Sequence, residues 1–363
     1  MRVLFCGGGT AGHITPALAI AEEIGKRYHD SYVAFVGRLG GNENTMINAA
    51  GYKLYEINVR GFSRSFGTDN LKAVKLYFDA KRKAKTIVNE FKPDAVIGTG
   101  GYVCAPVISA AVKSGIFTLI HESNATLGLT TKILAGKCDH LLLGTDIKTR
   151  FKNAQFVGNP TSDKFGSISK ATARRTLEIP MNKKMIVSVG GSIGAGKLND
   201  AAIGLMRSFV EKNDGVYHVH SAGKRYFDEL KSRFPELCRE NAEVKILPFI
   251  DNMPLYLAAA DLLVCRCGAM TLAEAARSGC PTVMIPSPNV TADHQMKNAI
   301  GYRDAGTGVI LTEAALTAQS LKNTVRTLLS DRAALEKMSQ RAKSFYAEDP
   351  KKRIVDLIEA NIG

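Results

Sequence analysis

The chain has 363 residues, 45% of them hydrophobic, and a formal net charge of +14 from 48 Lys and Arg against 34 Asp and Glu. That length suits two domains of roughly 150–200 residues each, and the hydrophobic share excludes a disordered chain. The positive surplus implies anionic company, whether nucleic acid, a phosphorylated substrate or an acidic membrane surface, while no apolar run reaches the ~18 residues of a membrane span. Met1-Arg2 leads into only a few apolar residues, so no secretory signal is expected. The seven cysteines are odd in number and scattered, as reduced thiols are, and Cys265-Arg266-Cys267 lacks zinc-site spacing.

In chain order, the apolar run 3–5 is followed by Cys6-Gly7-Gly8-Gly9-Thr10-Ala11-Gly12-His13-Ile14-Thr15-Pro16 and then by good helix formers. The pattern predicts strand, glycine loop and helix, with Thr15 as N-cap and Pro16 at the first helical position. Such a loop lets backbone N–H groups and a helix N-terminus approach a phosphate. Gly7, Gly9 and Gly12 also satisfy the dinucleotide pattern G-x-G-x-x-G. That reading needs a carboxylate at the end of the second strand, and the run 32–36 ends on Gly37-Arg38. Arg38 leaves a version with a 2′-phosphate formally open, and a tight turn without ligand is the plain alternative.

Further strand-like runs at 33–36, 54–57, 95–97, 117–120, 141–143 and 156–157 alternate with helix-length segments, which predicts a doubly wound parallel α/β domain. Gly158-Asn159-Pro160 breaks the pattern. A second strand-to-glycine-loop unit follows at 183–196, with more strands expected at 217–220, 244–247, 262–265, 282–285 and 308–311. Two similar α/β domains in tandem are expected, joined near residue 160, with ligands at the carboxyl ends of the strands and a cleft between domains. Gly191-x-x-x-x-Gly196-Lys197 invites a P-loop reading, but Leu198 stands where Ser or Thr must ligate magnesium.

Residues 71–88 place Ala73, Tyr77, Ala80, Ala84, Ile87 and Val88 at helical spacing to pack on the sheet. Lys72, Lys75, Lys81, Arg82, Lys83 and Lys85 lie mostly elsewhere, beside a second apolar line of Leu71, Val74 and Phe78. A solvated basic face is one reading. A helix on an anionic membrane surface is the sharper one. No nucleic-acid fold motif or aromatic stacking set accompanies the charge, so nucleic acid is not expected as a partner.

Three clusters at predicted strand ends can carry chemistry: Thr10 with His13, Gly98-Thr99-Gly100-Gly101-Tyr102, and His121-Glu122-Ser123-Asn124. His13 and His121 are the histidines near such loops that could take a proton near neutral pH. In the second half, Gly268 opens a helix whose free N–H groups suit a diphosphate. Glu274 lies two turns inside it, where a carboxylate can accept from both ribose hydroxyls of a nucleotide.

Eight ordered stretches carry a resemblance: Gly-Gly-Thr-Ala-Gly-His (8–13), Gly-Gly-Tyr-Val (100–103), His-Glu-Ser-Asn (121–124), Gly-Asn-Pro (158–160), Gly-Gly-Ser-Ile-Gly-Ala (190–195), Phe-Ile-Asp-Asn-Met (249–253), Cys-Arg-Cys-Gly-Ala-Met-Thr-Leu-Ala-Glu (265–274) and Asp-His-Gln-Met-Lys-Asn-Ala (293–299). Together they resemble the motifs of the MurG family, bacterial N-acetylglucosaminyl transferases that complete the lipid-linked peptidoglycan disaccharide. The resemblance implies a GT-B fold of two Rossmann-like doubly wound parallel-sheet domains. Residues 1–160 would be the acceptor and membrane side and 161–345 the UDP-sugar side, with a C-terminal helix over about 346–363 packing back on the first domain.

It also implies UDP-N-acetylglucosamine as donor, undecaprenyl-diphospho-N-acetylmuramoyl-pentapeptide as acceptor, a β-1,4 bond made with inversion, no cofactor, and a peripheral position on the cytoplasmic face of the membrane. By the same match, Ser192 lies near the phosphates, the Ile250 main chain at the uracil, Ala269, Met270 and Thr271 at the diphosphate with Leu272 beside them in the substrate-binding set, Glu274 on the ribose, and His294 with Gln295 near the sugar. Thr10, Ala11, Gly12 and Asn124 complete the sugar and acceptor side.

Inversion needs a base for the acceptor hydroxyl and neutralisation of charge on the departing UDP. His13 is the expected base and Glu122 the alternative. No Asp-x-Asp stands at a strand end, so a metal is not expected to be essential. The chain departs from the family pattern at Ala11, Ser123, His294 and Ser162, the last standing where some members carry a phosphate-facing arginine. A non-hydrolysing UDP-N-acetylglucosamine 2-epimerase is the alternative enzyme, a transferase with another lipid acceptor a nearer one, and a basic binding module the non-enzymatic reading.

Overall fold

The computed structural model describes residues 1–363 except 42–43, 62–67, 192, 213–214, 240–241, 347–348 and 363, and leaves the side chains of 68–74 undescribed. The chain divides into two compact units, Met1–Ser162 with Asp349–Gly363, and Asp163–Glu348.

The first unit alternates β1 (Arg2–Cys6), α1 (Ala11–Arg27), β2 (Tyr32–Arg38), α2 (Asn44–Ala49), β3 (Lys53–Ile57), α3 (Thr68–Phe91), β4 (Ala95–Gly98), α4 (Cys104–Lys113), β5 (Phe117–Glu122), α5 (Leu129–Leu134), β6 (His140–Leu143) and β7 (Ala154–Phe156). The strands form one parallel sheet in the order β3-β2-β1-β4-β5-β6-β7. Both faces are covered, so β1 reads as a continuous apolar run rather than an alternating one. Leu4 and Cys6 turn toward Ala80, Ala84, Ile87, Val88, Val107 and Leu134 of α3, α4 and α5. Val3 and Phe5 turn to the other face, onto Ile14, Ile20 and Ile24 of α1.

The second unit runs α6 (Lys164–Ser167), α7 (Lys170–Thr176), β8 (Lys184–Val189), α8 (Gly196–Lys212), β9 (Val216–Ser221), α9 (Lys224–Arg233), β10 (Val244–Leu247), α10 (Met253–Ala259), β11 (Leu262–Cys265), α11 (Ala269–Ser278), β12 (Thr282–Met284), α12 (His294–Asp304), β13 (Gly308–Ile310), α13 (Ala318–Ser330) and α14 (Arg332–Phe345). Its parallel sheet has the order β10-β9-β8-β11-β12-β13. One face packs under α10, α11 and α14 around Met185, Val187 and Leu263, the other under α8 and α13 around Ile186 and Val264.

The chain then returns to the first unit as α15 (Pro350–Ile362). Ile354, Val355 and Ile358 are fully buried against α1, each contributing about 1.5–3 kcal/mol relative to exposure. Lys351 is buried beside Glu23, 3.7 Å away, and Arg27 pairs with Asp356 and Glu359.

Every strand expected from the apolar runs is present, with ends moved by a residue or two. In both sheets the winding reverses beside the first strand, between β1 and β4 and between β8 and β11. Ligands of open α/β sheets sit outside the strands' carboxyl ends at such points.

One expectation is corrected. α1 starts at Ala11, not Pro16, so Thr15 is no N-cap and Pro16 lies inside the helix. Gly9, at φ +90°, turns the chain directly after β1, and Thr10 is the extended residue before the first turn. The Thr15 hydroxyl instead donates to Ala11 O at 2.9 Å. The helix N-terminus therefore opens within the glycine loop itself.

Candidate active site

In the first unit the loops after β1 and β4 lie backbone against backbone. Gly8 N donates to Gly100 O at 3.2 Å, and a Cβ on Gly101, whose φ is +85°, would fall 2.0 Å from Gly8 O. Only glycine permits that approach. His13, on the first turn of α1, places Nδ1 2.8 Å from Gly8 O. A carbonyl oxygen only accepts, so Nδ1 carries the proton and the lone pair of the neutral ring sits on Nε2. Gly100 faces that edge, since a Cβ there would lie 2.9 Å from Nε2. Thr10 does not cap the helix, and the N–H groups of Ala11 and Gly12 have no partner among the described residues. The loop thus presents open amides, a hydroxyl and an imidazole base at one place.

The loop after β5 is built differently. Glu122 is 7% exposed, and its carboxylate accepts from Asn124 N (3.2 Å), Asn124 Nδ2 (3.1 Å), Gly128 N (2.8 Å) and Thr131 Oγ1 (2.8 Å). Those four bonds lock the turn into α5 and hold Asn124 in place. They also occupy the lone pairs a base would use. His121 is buried, with Nε2 3.0 Å from Gly158 O, and burial holds its pKa below the usual imidazole value, so it serves the fold in neutral form. Ser162 donates to Glu22 Oε2 at 3.0 Å, which fixes the end of the first unit to α1.

In the second unit the glycine loop after β8 packs on the loop after β9. A Cβ on Gly194, at φ +86°, would meet Ala222 O at 2.1 Å. Ser192, expected near the phosphates, lies outside the described residues. Ile250 buries its side chain in the core, while its N–H and C=O have no partner among the described residues. α11 begins after an extended Gly268 with no side-chain cap. The N–H groups of Ala269, Met270 and Thr271 have no partner among the described residues. Leu272 does not extend that seat, because its N–H is spent on Gly268 O at 3.1 Å and its side chain is in the core.

Glu274, on the second turn of α11, is half-buried and has no hydrogen-bond or ion-pair partner among the described residues; burial pushes its pKa up to about 8. Gln295 uses its carbonyl to accept from Cys267 N (3.2 Å) and Ser287 N (2.9 Å), tying together the loops after β11 and β12 and leaving its amide N–H groups without a partner among the described residues. His294 has Nδ1 2.9 Å from Thr291 O. Two consecutive non-glycine residues just before it, Ala292 and Asp293, hold φ of +55° and +51°, the kind of backbone strain that collects at binding sites. Nothing in the sequence signalled it. Arg266 pairs with Glu313 and donates to Ile285 O at 3.3 Å, whereas Lys197, exposed near the start of α8, has no partner among the described residues.

On α3, Lys75, Arg82, Lys83 and Lys85 are exposed, Lys81 is half-buried and Phe78 is 58% exposed, with Arg82 paired to Asp79. The side chains of Leu71, Lys72 and Val74 lie outside the described ones. Leu129 and Ile133 of α5, on the same side of the sheet as α3, are 66% and 55% exposed. Their bare apolar face was not read from the sequence, where two such residues in a six-residue helix carry no pattern. Among the described residues no helix is long and apolar enough to cross a membrane.

Residues 3–142 match the glycosyltransferase family 28 N-terminal domain and residues 185–356 its C-terminal domain. The two units, with their open helix N-termini at the carboxyl edges of parallel sheets, are thus those of a glycosyltransferase. The UDP-N-acetylglucosamine--N-acetylmuramyl-(pentapeptide) pyrophosphoryl-undecaprenol N-acetylglucosamine transferase of Acetivibrio thermocellus is 39% identical over 364 residues, covering 99% of this chain and 98% of that one. The crystal structure of Acinetobacter baumannii MurG superposes with a TM-score of 0.74 at 27% identity, covering 99% of both chains. The chain belongs to the MurG family within glycosyltransferase family 28. A putative UDP-N-acetylglucosamine 2-epimerase from Listeria monocytogenes shares the fold at TM-score 0.68 but only 13% identity, covering 99% of this chain and 96% of that one.

Proposed function

We propose that the chain moves N-acetylglucosamine from UDP-N-acetylglucosamine to the C4 hydroxyl of undecaprenyl-diphospho-N-acetylmuramoyl-pentapeptide, with inversion, on the cytoplasmic face of the membrane. The observation that carries this reading is the set of open groups in the second unit. The main chain of Ile250, without a partner among the described residues, suits the edge of a uracil, Glu274, likewise without one among them, suits a ribose diol, and the amides opening α11 suit a diphosphate. His294, the amide N–H groups of Gln295 that have no partner among the described residues, and the glycine loop after β8 complete the donor side. A helix N-terminus carries about half a positive charge, fixed before the reaction starts, so charge gathering on departing UDP meets a dipole that needs no reorganisation.

The first unit takes the acceptor. Ala11 and Gly12 offer open amides, Thr10 a hydroxyl and Asn124 an amide held by Glu122. His13 Nε2 accepts the proton of the attacking hydroxyl while its Nδ1–H stays on Gly8 O, and Glu122 is a positioning group rather than a base. The basic face of α3 with Phe78, extended by Leu129 and Ile133, lies on anionic lipid, where the acceptor's polyprenyl chain is anchored. Incubation with UDP-N-acetylglucosamine and the lipid-linked acceptor is expected to yield the disaccharide lipid and UDP. Formation of the manno epimer without acceptor would overturn the reading in favour of the epimerase.

A further inference from the structure

The second unit buries a polar chain that the reaction does not touch. His218 and His220 lie two apart on β9 and so face the same side of the sheet, against Ser188 on β8 and Asn199 on α8, all four essentially without solvent contact. Ser188 Oγ is 2.8 Å from His218 Nε2 and 2.7 Å from His220 Nδ1; His220 Nε2 is 3.1 Å from Asn199 Oδ1, and Asn199 Nδ2 donates to Ala222 O at 3.1 Å.

The proton positions follow from the far end. A carbonyl accepts, so the Asn199 amide donates there and Oδ1 accepts from His220 Nε2–H. His220 Nδ1 then accepts from the Ser188 hydroxyl, whose oxygen accepts from His218 Nε2–H. Every link has one direction, and both rings are neutral.

This chain ends on the site. Ala222 O is the atom that leaves no room for a Cβ on Gly194, and a Cβ on Gly223 would lie 2.5 Å from Gly194 N. Asn199 also donates its main-chain N–H to Ala195 O at 2.8 Å. One residue therefore touches both glycine loops, the one after β8 through its main-chain N–H and the one after β9 through its side-chain amide. Resting on the donor assignment above, we infer that Asn199 and His220 are positioning residues that set Gly194 and Ala195 of the glycine loop after β8 at the distance the donor diphosphate requires. His218 Nδ1, at the far end, has no hydrogen-bond partner among the described residues, whereas the links from Ser188 to Ala222 O are all made; those members are spent on fixing a loop rather than filling the core.

The test uses Asn199→Asp, which keeps the shape and the acceptor for His220 but cannot donate to Ala222 O. The Kd for UDP, by calorimetry, and the KM for UDP-N-acetylglucosamine are expected to rise about tenfold, with the KM for the lipid acceptor unchanged. Ser188→Ala frees the His220 ring and is expected to shift the donor constants about threefold in the same sense; it decides the matter should the first variant not fold. A role confined to stability would lower the unfolding temperature and the active fraction without separating donor from acceptor. UDP affinity within twofold of wild type in a folded variant, or donor and acceptor KM moving together, would overturn the inference. Wild-type protein that binds no UDP would sink the donor assignment beneath it as well.

Discussion

Glu274 offers the most direct way to break the donor assignment. Its carboxyl has no partner among the described residues, and burial raises its pKa to about 8. A ribose diol presents two O–H donors, and donors favour the ionised carboxyl. Binding of UDP must then lower this pKa. Below about pH 8 the free protein carries a proton that the complex gives up, so affinity rises as pH rises toward 8 and levels off above it. Full coupling amounts to about 1.4 kcal/mol, or tenfold in Kd, per pH unit. Because the carboxyl keeps partial contact with solvent, the expected change is discounted to about tenfold in total between pH 6 and 8. Calorimetry in two buffers of different ionisation enthalpy reads the released proton directly. The titration of UDP's own phosphate is common to wild type and Glu274→Gln, so the difference between the two isolates this carboxyl. The variant is expected to bind UDP about tenfold or more weakly, with a flatter pH profile. The same profile in both proteins, or a variant that binds UDP as tightly as wild type, refutes the ribose contact.

Three further outcomes follow from named groups. His13→Ala removes the base and is expected to lower kcat at saturating substrates by about 10²–10⁴-fold with UDP affinity kept; near-normal turnover would sink the assignment. Charge reversal at Lys81, Arg82 and Lys83 is expected to weaken binding to phosphatidylglycerol vesicles, at about 1 kcal/mol per basic residue lost from the surface, and to leave the Kd for UDP alone. Unchanged vesicle binding counts against the α3 face. Burial lowers the pKa of His218 to about 3 and that of His220 to about 4. The unfolded chain, near the ordinary 6.5, binds more protons in between, so stability contributed by the neutral rings is complete above pH ~6.5 and falls as pH drops toward 4. Each ring contributes a slope of about 1.4 kcal/mol per pH unit, readable by urea unfolding at pH 7.5, 6 and 5; a flat profile would contradict their burial as neutral groups.

The strands were legible because both faces of each sheet are covered. Burial on two sides turns β11 and β1 after Arg2 into apolar runs, and in β8 only Lys184 and Ser188 interrupt one. The start of α1 was misread for a local reason. Thr15-Pro16 is a sound cap-and-first-turn signal, yet Gly9 had already turned the chain, and a proline in the second turn forfeits one main-chain hydrogen bond. Glu122 reads in sequence as a free carboxylate beside a histidine; only the return of Gly128 and Thr131 onto it shows that it is consumed. The histidine chain had a signal that went unread, since His218-x-His220 at period two inside an apolar strand puts both imidazoles on one face. What no sequence pattern supplies is their partner, because Ser188 comes opposite only through the parallel register of β8 and β9.

The fate of the positive charge bears on how the reaction can work with Ser162 where some family members are expected to carry an arginine. Several arginines are committed to partners within the fold. Arg174, 2% exposed, donates to the carbonyls of Ala259, Pro180, Met181 and Lys183 and pairs with Asp261. Arg27 bridges α1 to α15, Arg277 pairs with Asp163, and Arg266 is committed to Glu313 and a carbonyl. These cations hold loops and helix ends, and moving one to a leaving diphosphate would strip a carboxylate or carbonyl of its partner, at about 1–3 kcal/mol where that partner is shielded from solvent. For the diphosphate proposed in the second unit, the main-chain amides opening α11 and the exposed ammonium of Lys197 have no partner among the described residues. The amides are fixed by the fold, carry no titratable proton and are already aimed at the carboxyl edge of the sheet. Lys197 sits on a flexible stem in solvent, where its field is screened. On the donor assignment proposed above, the leaving diphosphate is expected to be stabilised chiefly by backbone. A serine at position 162 is tolerated on those terms, and its hydroxyl is free to serve Glu22 of α1 instead.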